Sequence, residues 1–244
     1  MSVFIHQNES FKHCFTEFDF DISHWQQDPH TIQLTGGRGA SFKVIIQNQP
    51  LVLRHYLRGG MVAALLKDQY LWRGISNSRP FREQWVIKHA LQHHLPVPEV
   101  VAFMLRKKGL YYRAAIISRF IPNQGTLAGW LYEHPLDNHG WQQIGGIIRC
   151  MHDAGIEHVD LNANNILIDK EMRFHLIDFD KATIKNRQGS WTSSNLSRLL
   201  RSLHKIQKQR EMSGLTFHFN QQHWQALLQG YHEPDESIQD IDPE

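Results

Sequence analysis

The side chains that could do chemistry crowd into one stretch, Glu157 to Lys181, reading EHVDLNANNILIDKEMRFHLIDFDK. Asp160 follows His158 by two residues, Asn165 follows Asp160 by five, and Asp178 comes about a dozen residues later, followed by Phe179 and Asp180. Two carboxylates and an amide are hard oxygen donors, the set that divalent cations such as Mg²⁺ take together with the phosphates of a substrate. The chemistry indicated is handling of a metal-bound phosphate compound. H-x-D alone, or Ile-Asp-Phe alone, is more often structural than catalytic, so the weight rests on the two occurring together.

Something must bring these groups to one rim. Ile166–Ile168 and Phe174–Ile177 are short apolar runs either side of a polar turn, Asp169 to Arg173. Runs of that kind read as the strands of a hairpin, and a hairpin's two open ends lie together. With the hairpin between them, H-x-D-x-x-x-x-N and D-F-x resemble the catalytic loop and metal-binding aspartate of kinases.

The upstream sequence supplies matching parts. Thr31–Leu34 and Phe42–Gln47 read as strands around Gly36, Gly37, Arg38 and Gly39. A strand–glycine turn–strand unit lets backbone N–H groups approach ATP phosphates, although by itself it is equally a plain hairpin turn. Leu51–His55 reads as a third strand. It carries Arg54 where a kinase holds the α/β-phosphates with a lysine, and Lys43 on the preceding strand is the other candidate. Pro80–Gln92 reads as a helix bearing Glu83 as the acidic partner of Arg54, with a surface ion pair as the competing explanation. Beyond Leu95-Pro96-Val97-Pro98, a hairpin of Val100–Leu105 and Tyr111–Ile121 leads to a hinge, where backbone groups at Arg119 and Ile121 are placed to meet adenine. Thr126 caps a short helix. Asp137–Ala154, with Trp141, Ile144, Ile148 and Met151 at helical spacing and Gly155 as its stop, is a core helix. Asn195–Gln209 is amphipathic, and Phe219–Tyr231 gives a last helix.

Bulk properties bound the reading. A chain of 244 residues with 41% hydrophobic and 20% charged residues suits one large domain or two lobes. Cys14 and Cys150 form no C-x-x-C pair, and a reducing compartment fits. The first residues lack the basic start and apolar run of a signal peptide, and the run Met61–Leu66 is too short to span a bilayer. From Arg38 to Lys88 only Asp68 and Glu83 oppose a series of lysines and arginines interleaved with Tyr56, Tyr70, Trp72 and Trp85. That imbalance fits an anionic partner, nucleic acid or lipid headgroups, as well as a plain solvated basic face. No nucleic-acid-binding motif stands beside it, and no protein partner is evident.

Several of these elements together resemble the 3-deoxy-D-manno-octulosonic acid (Kdo) kinases of the lipopolysaccharide core. They are Gly36-Gly37-Arg38-Gly39, V-L-R-H-Y-x-R-G-G from Val52 to Gly60, Arg79-x-x-Arg82-Glu83, H-V-D-L-N-A-N-N-I-L from His158 to Leu167, and I-D-F-D. The resemblance covers Thr31 to Tyr231 and implies an α+β, bilobal protein-kinase-like fold. The sheet-bearing N-lobe would take 31–120 and the mainly helical C-lobe 121–232, with 1–30 an extension on the N-lobe and 233–244 an acidic, disordered tail. It implies ATP and Mg²⁺, phosphorylation of the Kdo 4-hydroxyl on a Kdo–lipid A precursor, and a peripheral place on the cytoplasmic side of the inner membrane. By the same resemblance Asp160 accepts the hydroxyl proton, Asn165 and Asp178 hold metal, and Arg54 steadies the phosphates through Glu83. Gly36, Gly37, Arg38, Gly39, Lys43, Arg119 and Ile121 join Arg54 at the nucleotide, and Arg58, Asn162 and Asp180 face the acceptor. Asn162 stands where Ser/Thr kinases have a lysine, and Asp180 where D-F-G has glycine. No A-P-E segment follows Asp178. A heptose kinase or another small-molecule phosphotransferase of this fold, and a non-catalytic nucleotide-binding scaffold, are the alternatives.

Overall fold

The computed structural model describes residues 1–9, 11, 14–34, 41–57 and 68–234. It is a mixed α/β chain in which packing separates two compact units. One is Met1–Trp85 with Pro98–Phe120, and the other Val86–Val97 with Ile121–Glu244.

The first unit is built on an antiparallel sheet of seven strands: β1 (Ser2–Gln7), β2 (Ile32–Leu34), β3 (Ser41–Ile46), β4 (Gln49–His55), β5 (Tyr70–Leu71), β6 (Val100–Lys108) and β7 (Tyr111–Arg119). The order is β1-β6-β7-β4-β3-β2, with β5 beside β7. Strands β3 and β4 are joined by Gln47 and Asn48, both at positive φ (51° and 60°). Two such residues make the tight hairpin whose twist matches its strands, and the resulting register sets Ser41 opposite Arg54 and Lys43 opposite Val52. Phe42, Val44 and Ile46 alternate inward on β3, as do Leu51 and Leu53 on β4. Phe11, Phe15, Phe20 and Trp25 cover that face of the sheet. Within this covering segment Thr16 and Asp19 cap a 3-10 turn, Glu17–Phe20, and Asp21 caps helix α1 (Ile22–Trp25).

The opening residues are more than an extension laid on the sheet. β1 is its edge strand, paired with β6 from Ser2↔Lys107 to Gln7↔Ala102. Alternation decides this, since Val3 and Ile5 pack against the aromatic core. The other face receives the start of helix α2 (Arg79–Gln92), where Phe81 meets Phe103 edge-on.

The second unit is mainly helical. α3 (Leu127–Trp130), α4 (Asn138–Asp153), α5 (Ser190–Met212) and α6 (Gln221–His232) surround two small antiparallel sheets. One runs β11 (Phe174–Leu176), β10 (Ile166–Ile168), β8 (Gly125–Thr126); the other pairs β12 (Thr183–Ile184) with β9 (Ile156–Glu157). The 3.6-residue spacing of Trp141, Ile144, Ile148 and Met151 is what turns α4 inward, and all four are buried. Gly155, at φ 73°, ends α4 as expected of a helix stop. α4 and α6 touch through backbone: a Cβ on Gly145 would stand 2.0 Å from the Leu227 carbonyl, and one on Gly230 2.0 Å from that of Gln142.

Candidate active site

The loop between β9 and β10 is fixed by hydrogen bonds at nearly every residue. His158 is buried, and its Nε2 stands 2.9 Å from the Ile177 carbonyl. Burial lowers its pKa, outweighing the hydrogen bond to Ile177 and the nearby Asp178 and Asp160, so the ring is neutral with its proton on Nε2. Phe179 packs edge-on against that ring at 4.7 Å. The His158 carbonyl accepts from Leu161 N at 3.1 Å, a tight turn that leaves the Asp160 side chain exposed.

Both asparagines fold back on this turn. Asn162 Nδ2 and Asn165 Nδ2 donate to the Asp160 carbonyl at 2.8 and 2.9 Å. Asn162 Oδ1 accepts from Asn164 N at 2.9 Å and caps a 3-10 turn, Ala163–Asn165. The Asn162 amide is thus engaged at both ends within the loop, where the sequence places it facing an acceptor. Asn165 differs: donation by its nitrogen turns its oxygen away from the Asp160 carbonyl. Its own backbone carbonyl accepts from Ile177 N at 3.0 Å, next to Asp178. Asp178 is exposed and sits at φ 65°, a left-handed conformation unusual for an aspartate. Asn165 thus ties the Asp160 carbonyl to the backbone of Ile177, one residue ahead of Asp178, with Asp180 half-buried just beyond. Among the described residues no cluster of three or more His, Cys, Asp or Glu has the arrangement of a metal site; the expected pair here is an amide and a carboxylate.

Two supports of the loop come from α5. Asn195 is buried, and its Oδ1 accepts from the backbone N of His158 at 3.0 Å. His152 Nε2 lies 3.4 Å from the same oxygen, and His152 Nδ1 lies 2.9 Å from the Tyr231 hydroxyl. Burial, partly opposed by the bond to Asn195, pushes the His152 pKa down to about 4. Farther along the helix, Ser202 Oγ accepts from Ala163 N at 3.1 Å. Neither residue stands out as functional from the sequence. The available signal is their spacing, since Asn195, Leu199, Ser202 and Leu203 recur on the inward stripe of the helix.

Arg54 lies in the first unit. Its Nη2 reaches Glu83 Oε1 at 2.5 Å, and the Tyr56 hydroxyl donates to Glu83 Oε2 at 2.5 Å. Glu83 is buried while Arg54 keeps 22% of its side chain exposed. Below them Arg79 lies over the Tyr56 and Tyr70 rings at 5.5 and 4.8 Å and donates to the Tyr70 hydroxyl at 2.7 Å. Strand alternation gives the R-H-Y motif its logic. Arg54 and Tyr56 point to Glu83, while His55 between them meets the Phe20 carbonyl at 2.7 Å on the opposite face.

The other candidates are more scattered. Lys43 holds its ammonium 4.5 Å above the Phe120 ring, with no carboxylate partner among the described residues. Arg119 donates its backbone N–H to the Glu99 carbonyl at 2.9 Å and its Nε to the Glu99 carboxylate at 2.6 Å. The Ile121 carbonyl accepts from Asn123 Nδ2 at 2.7 Å. Two of the four backbone atoms expected to read adenine are therefore already engaged. Gly36, Gly37, Arg38, Gly39 and Arg58 lie outside the described residues, as does the acidic tail from residue 235 onward.

Comparison with known sequences points one way. The sequence model of the lipopolysaccharide kinase (Kdo/WaaP) family matches residues 23–231. A 3-deoxy-D-manno-octulosonic acid kinase of Photobacterium profundum is 38% identical over 216 residues, 88% of this chain and 89% of that one. A protein of the same name from Vibrio vulnificus is 37% identical over 212 residues, 87% of each chain. One from Stenotrophomonas maltophilia is 38% identical over 195 residues, 79% of this chain and 77% of its own.

Proposed function

We propose, from the premise that the chain belongs to the lipopolysaccharide kinase (Kdo/WaaP) family, that it phosphorylates the 4-hydroxyl of Kdo on a Kdo–lipid A precursor. It is an enzyme, a phosphotransferase with an alcohol group as acceptor, and its family implies ATP as the donor. The observation that supports a phosphotransfer site here is Asn165, which ties the Asp160 turn to Ile177, one residue ahead of Asp178; Kdo as the acceptor follows from the name of the relatives. We read the fold as protein-kinase-like, with lobes at about residues 31–120 and 121–232. The supporting features are the antiparallel sheet of the first unit, the Glu83 helix beside it, and the mainly helical second unit.

In this reading Asp160 offers an exposed carboxylate to the acceptor hydroxyl, orienting it and taking its proton as the acceptor oxygen bonds the γ-phosphorus of ATP and the bond from that phosphorus to the bridging oxygen breaks, releasing ADP. The Asn165 amide oxygen and the Asp178 carboxylate are hard donors that fit Mg²⁺. Bound there, Mg²⁺ would neutralise charge on the phosphates. His158 keeps the loop in register by holding Ile177, one residue ahead of Asp178. Glu83, itself held by the Tyr56 hydroxyl, fixes the position of the Arg54 guanidinium in advance of phosphate binding, an arrangement that keeps the reorganisation cost of binding small. Gly36, Gly37, Arg38 and Gly39, with backbone at Arg119 and Ile121, complete the nucleotide site, and Arg58 and Asp180 meet the acceptor. Among the described residues no helix is long and apolar enough to cross a membrane. We place the protein peripherally on the cytoplasmic face of the inner membrane, where this anionic glycolipid would be met.

The test is mass spectrometry of Kdo–lipid A species incubated with the protein, ATP and Mg²⁺, with fragmentation to locate the phosphate. The expected product carries one added phosphate on Kdo. Asp160→Asn should lower kcat by about 10²–10⁴-fold and leave the melting temperature unchanged, because the side chain is exposed. No transfer by the unaltered protein, or full activity in Asp160→Asn, refutes the reading.

A further inference from the structure

One end of the first unit's sheet exposes apolar side chains that the catalytic reading does not use. At the β6–β7 turn Leu110 is 73% exposed, and beside it stand Tyr111 (38%) and Leu71 (46%), which pair across β7 and β5. Trp72 donates its backbone N to the Leu110 carbonyl at 2.8 Å and stacks on Phe4 of β1 at 5.8 Å. From Phe4 the surface continues into a groove of about 370 Å³ walled by His6, Ile75, Phe81 and Phe103. Leu71 and Tyr111 lie on one face of this end of the sheet and Trp72 with Phe4 on the other, with Leu110 at the turn; soluble surfaces carry single exposed apolar residues freely, but several gathered at one tip mark contact with something apolar.

The charge at this end has one sign. Lys107 sits over the Trp72 ring at 5.3 Å, Lys108 is exposed on the turn, and Arg73 is exposed next to Trp72. Among the described residues none of the three has a carboxylate partner. The acids nearby are already neutralised: Asp68 by Arg113 at 2.9 Å, and Glu17 by Arg106 at 2.8 Å. Aromatic rings beside unpaired cations, with aliphatic groups at the tip, match the depth profile of a bilayer surface. Trp and Tyr sit at headgroup level, Lys and Arg reach phosphates, and Leu and Phe enter the acyl boundary.

We propose that this end of the sheet, comprising the β6–β7 turn, β5 with Trp72 and Arg73, and Phe4 of β1, docks on an anionic phospholipid bilayer. The inference rests on the peripheral location given above and specifies which surface makes the contact. The basic outer side of α5, with Lys205 and Lys208 exposed, is the rival surface.

The test is cosedimentation of the full chain with vesicles of phosphatidylethanolamine and phosphatidylglycerol, against vesicles of phosphatidylcholine alone. The unaltered protein should pellet with the anionic vesicles only. Lys107→Glu with Lys108→Glu should weaken partitioning by at least about tenfold, and Leu71→Ser with Leu110→Ser severalfold. Lys205→Glu with Lys208→Glu should bind as the unaltered protein does. Thermal melts confirm that each variant folds. If the unaltered protein ignores anionic vesicles, the peripheral location itself falls and takes this surface with it. If it binds and the β6–β7 variants bind equally, or the α5 variant alone loses binding, only the surface assignment falls. Concentration-dependent self-association that Leu71→Ser with Leu110→Ser abolishes, with vesicle binding intact, would give the patch to a second copy and overturn the proposal.

Discussion

Asn195→Ala removes an oxygen that touches no reacting group, yet the loop proposed to carry the base Asp160 should feel it. Oδ1 accepts from His158 N at 3.0 Å and stands 3.4 Å from His152 Nε2, in a fully buried setting. Truncation strands the first N–H and weakens the second contact. Each buried polar group left unsatisfied costs about 1–3 kcal/mol, so with the longer contact counted at less the loss is about 2–4 kcal/mol. In a chain of this size 1 kcal/mol moves Tm by about 2–4 °C, which gives a fall of about 4–16 °C. Activity should fall too, because His158 N is two residues from Asp160, and displacement of a catalytic group by about 1 Å can cost about 10²-fold. Calorimetry and steady-state kinetics on the purified variant measure both. Asn195→Asp, which keeps an acceptor oxygen, should retain more activity than Asn195→Ala. A Tm within about 2 °C of the unaltered protein, together with unchanged kcat, would refute the idea that α5 positions the loop.

Three further expectations concern the same framework. The His152 pKa, pushed by burial from 6.5 to about 4, means that the unfolded chain takes up a proton the folded one refuses. That stabilisation, about 3 kcal/mol, is fully present above pH 6.5 and lost progressively as pH falls to about 4. His152→Gln should flatten the pH dependence of the urea midpoint over that window, and an unchanged slope would contradict the assignment. His55, His158 and His223, whose pKa values burial also lowers, leave a residual slope. Glu83→Gln weakens the hold on Arg54, and kcat/KM for ATP should fall at least about tenfold, or about 1.4 kcal/mol, far more than in Tyr56→Phe; equal effects would argue against a phosphate role for Arg54. Asp178→Gly and Asp178→Ala should both lose activity, but the glycine variant should be the more stable by about 1 kcal/mol in urea denaturation, because alanine is strained at φ 65°.

What could be read from the sequence was what is local. The β10–β11 hairpin follows from two apolar runs and the Asp169 turn, where that buried carboxylate accepts from Glu171 N, Arg173 N, Arg173 Nε and His175 Nε2. Spacing of five residues likewise fixes Asn165 against Asp160. The Arg54–Glu83 pair was legible because a strand and a helix each announce their inward face. β1 was not, since Phe4 finds Leu105 about a hundred residues away and six residues of alternation do not name a partner. Nor were Asn195 and Ser202, whose polarity on an inward stripe looks like a packing defect until the backbone groups they satisfy are known. The segment at Arg119 and Ile121 was only half legible, because which backbone atoms are engaged depends on the neighbouring Glu99 and Asn123 rather than on Arg119 and Ile121 themselves.

The contact of α4 with α6 through Gly145 and Gly230 reaches further than its size. With no side chain at these two points of contact, the separation of the rods there cannot be tuned by repacking; a carbon added at either glycine wedges them apart. Tyr231 rides beside that hinge point and passes its position through His152 to Asn195. The last helix is thus a keystone rather than trim: a chain cut ahead of Gln221 would lose the far anchor of the loop that bears Asp160.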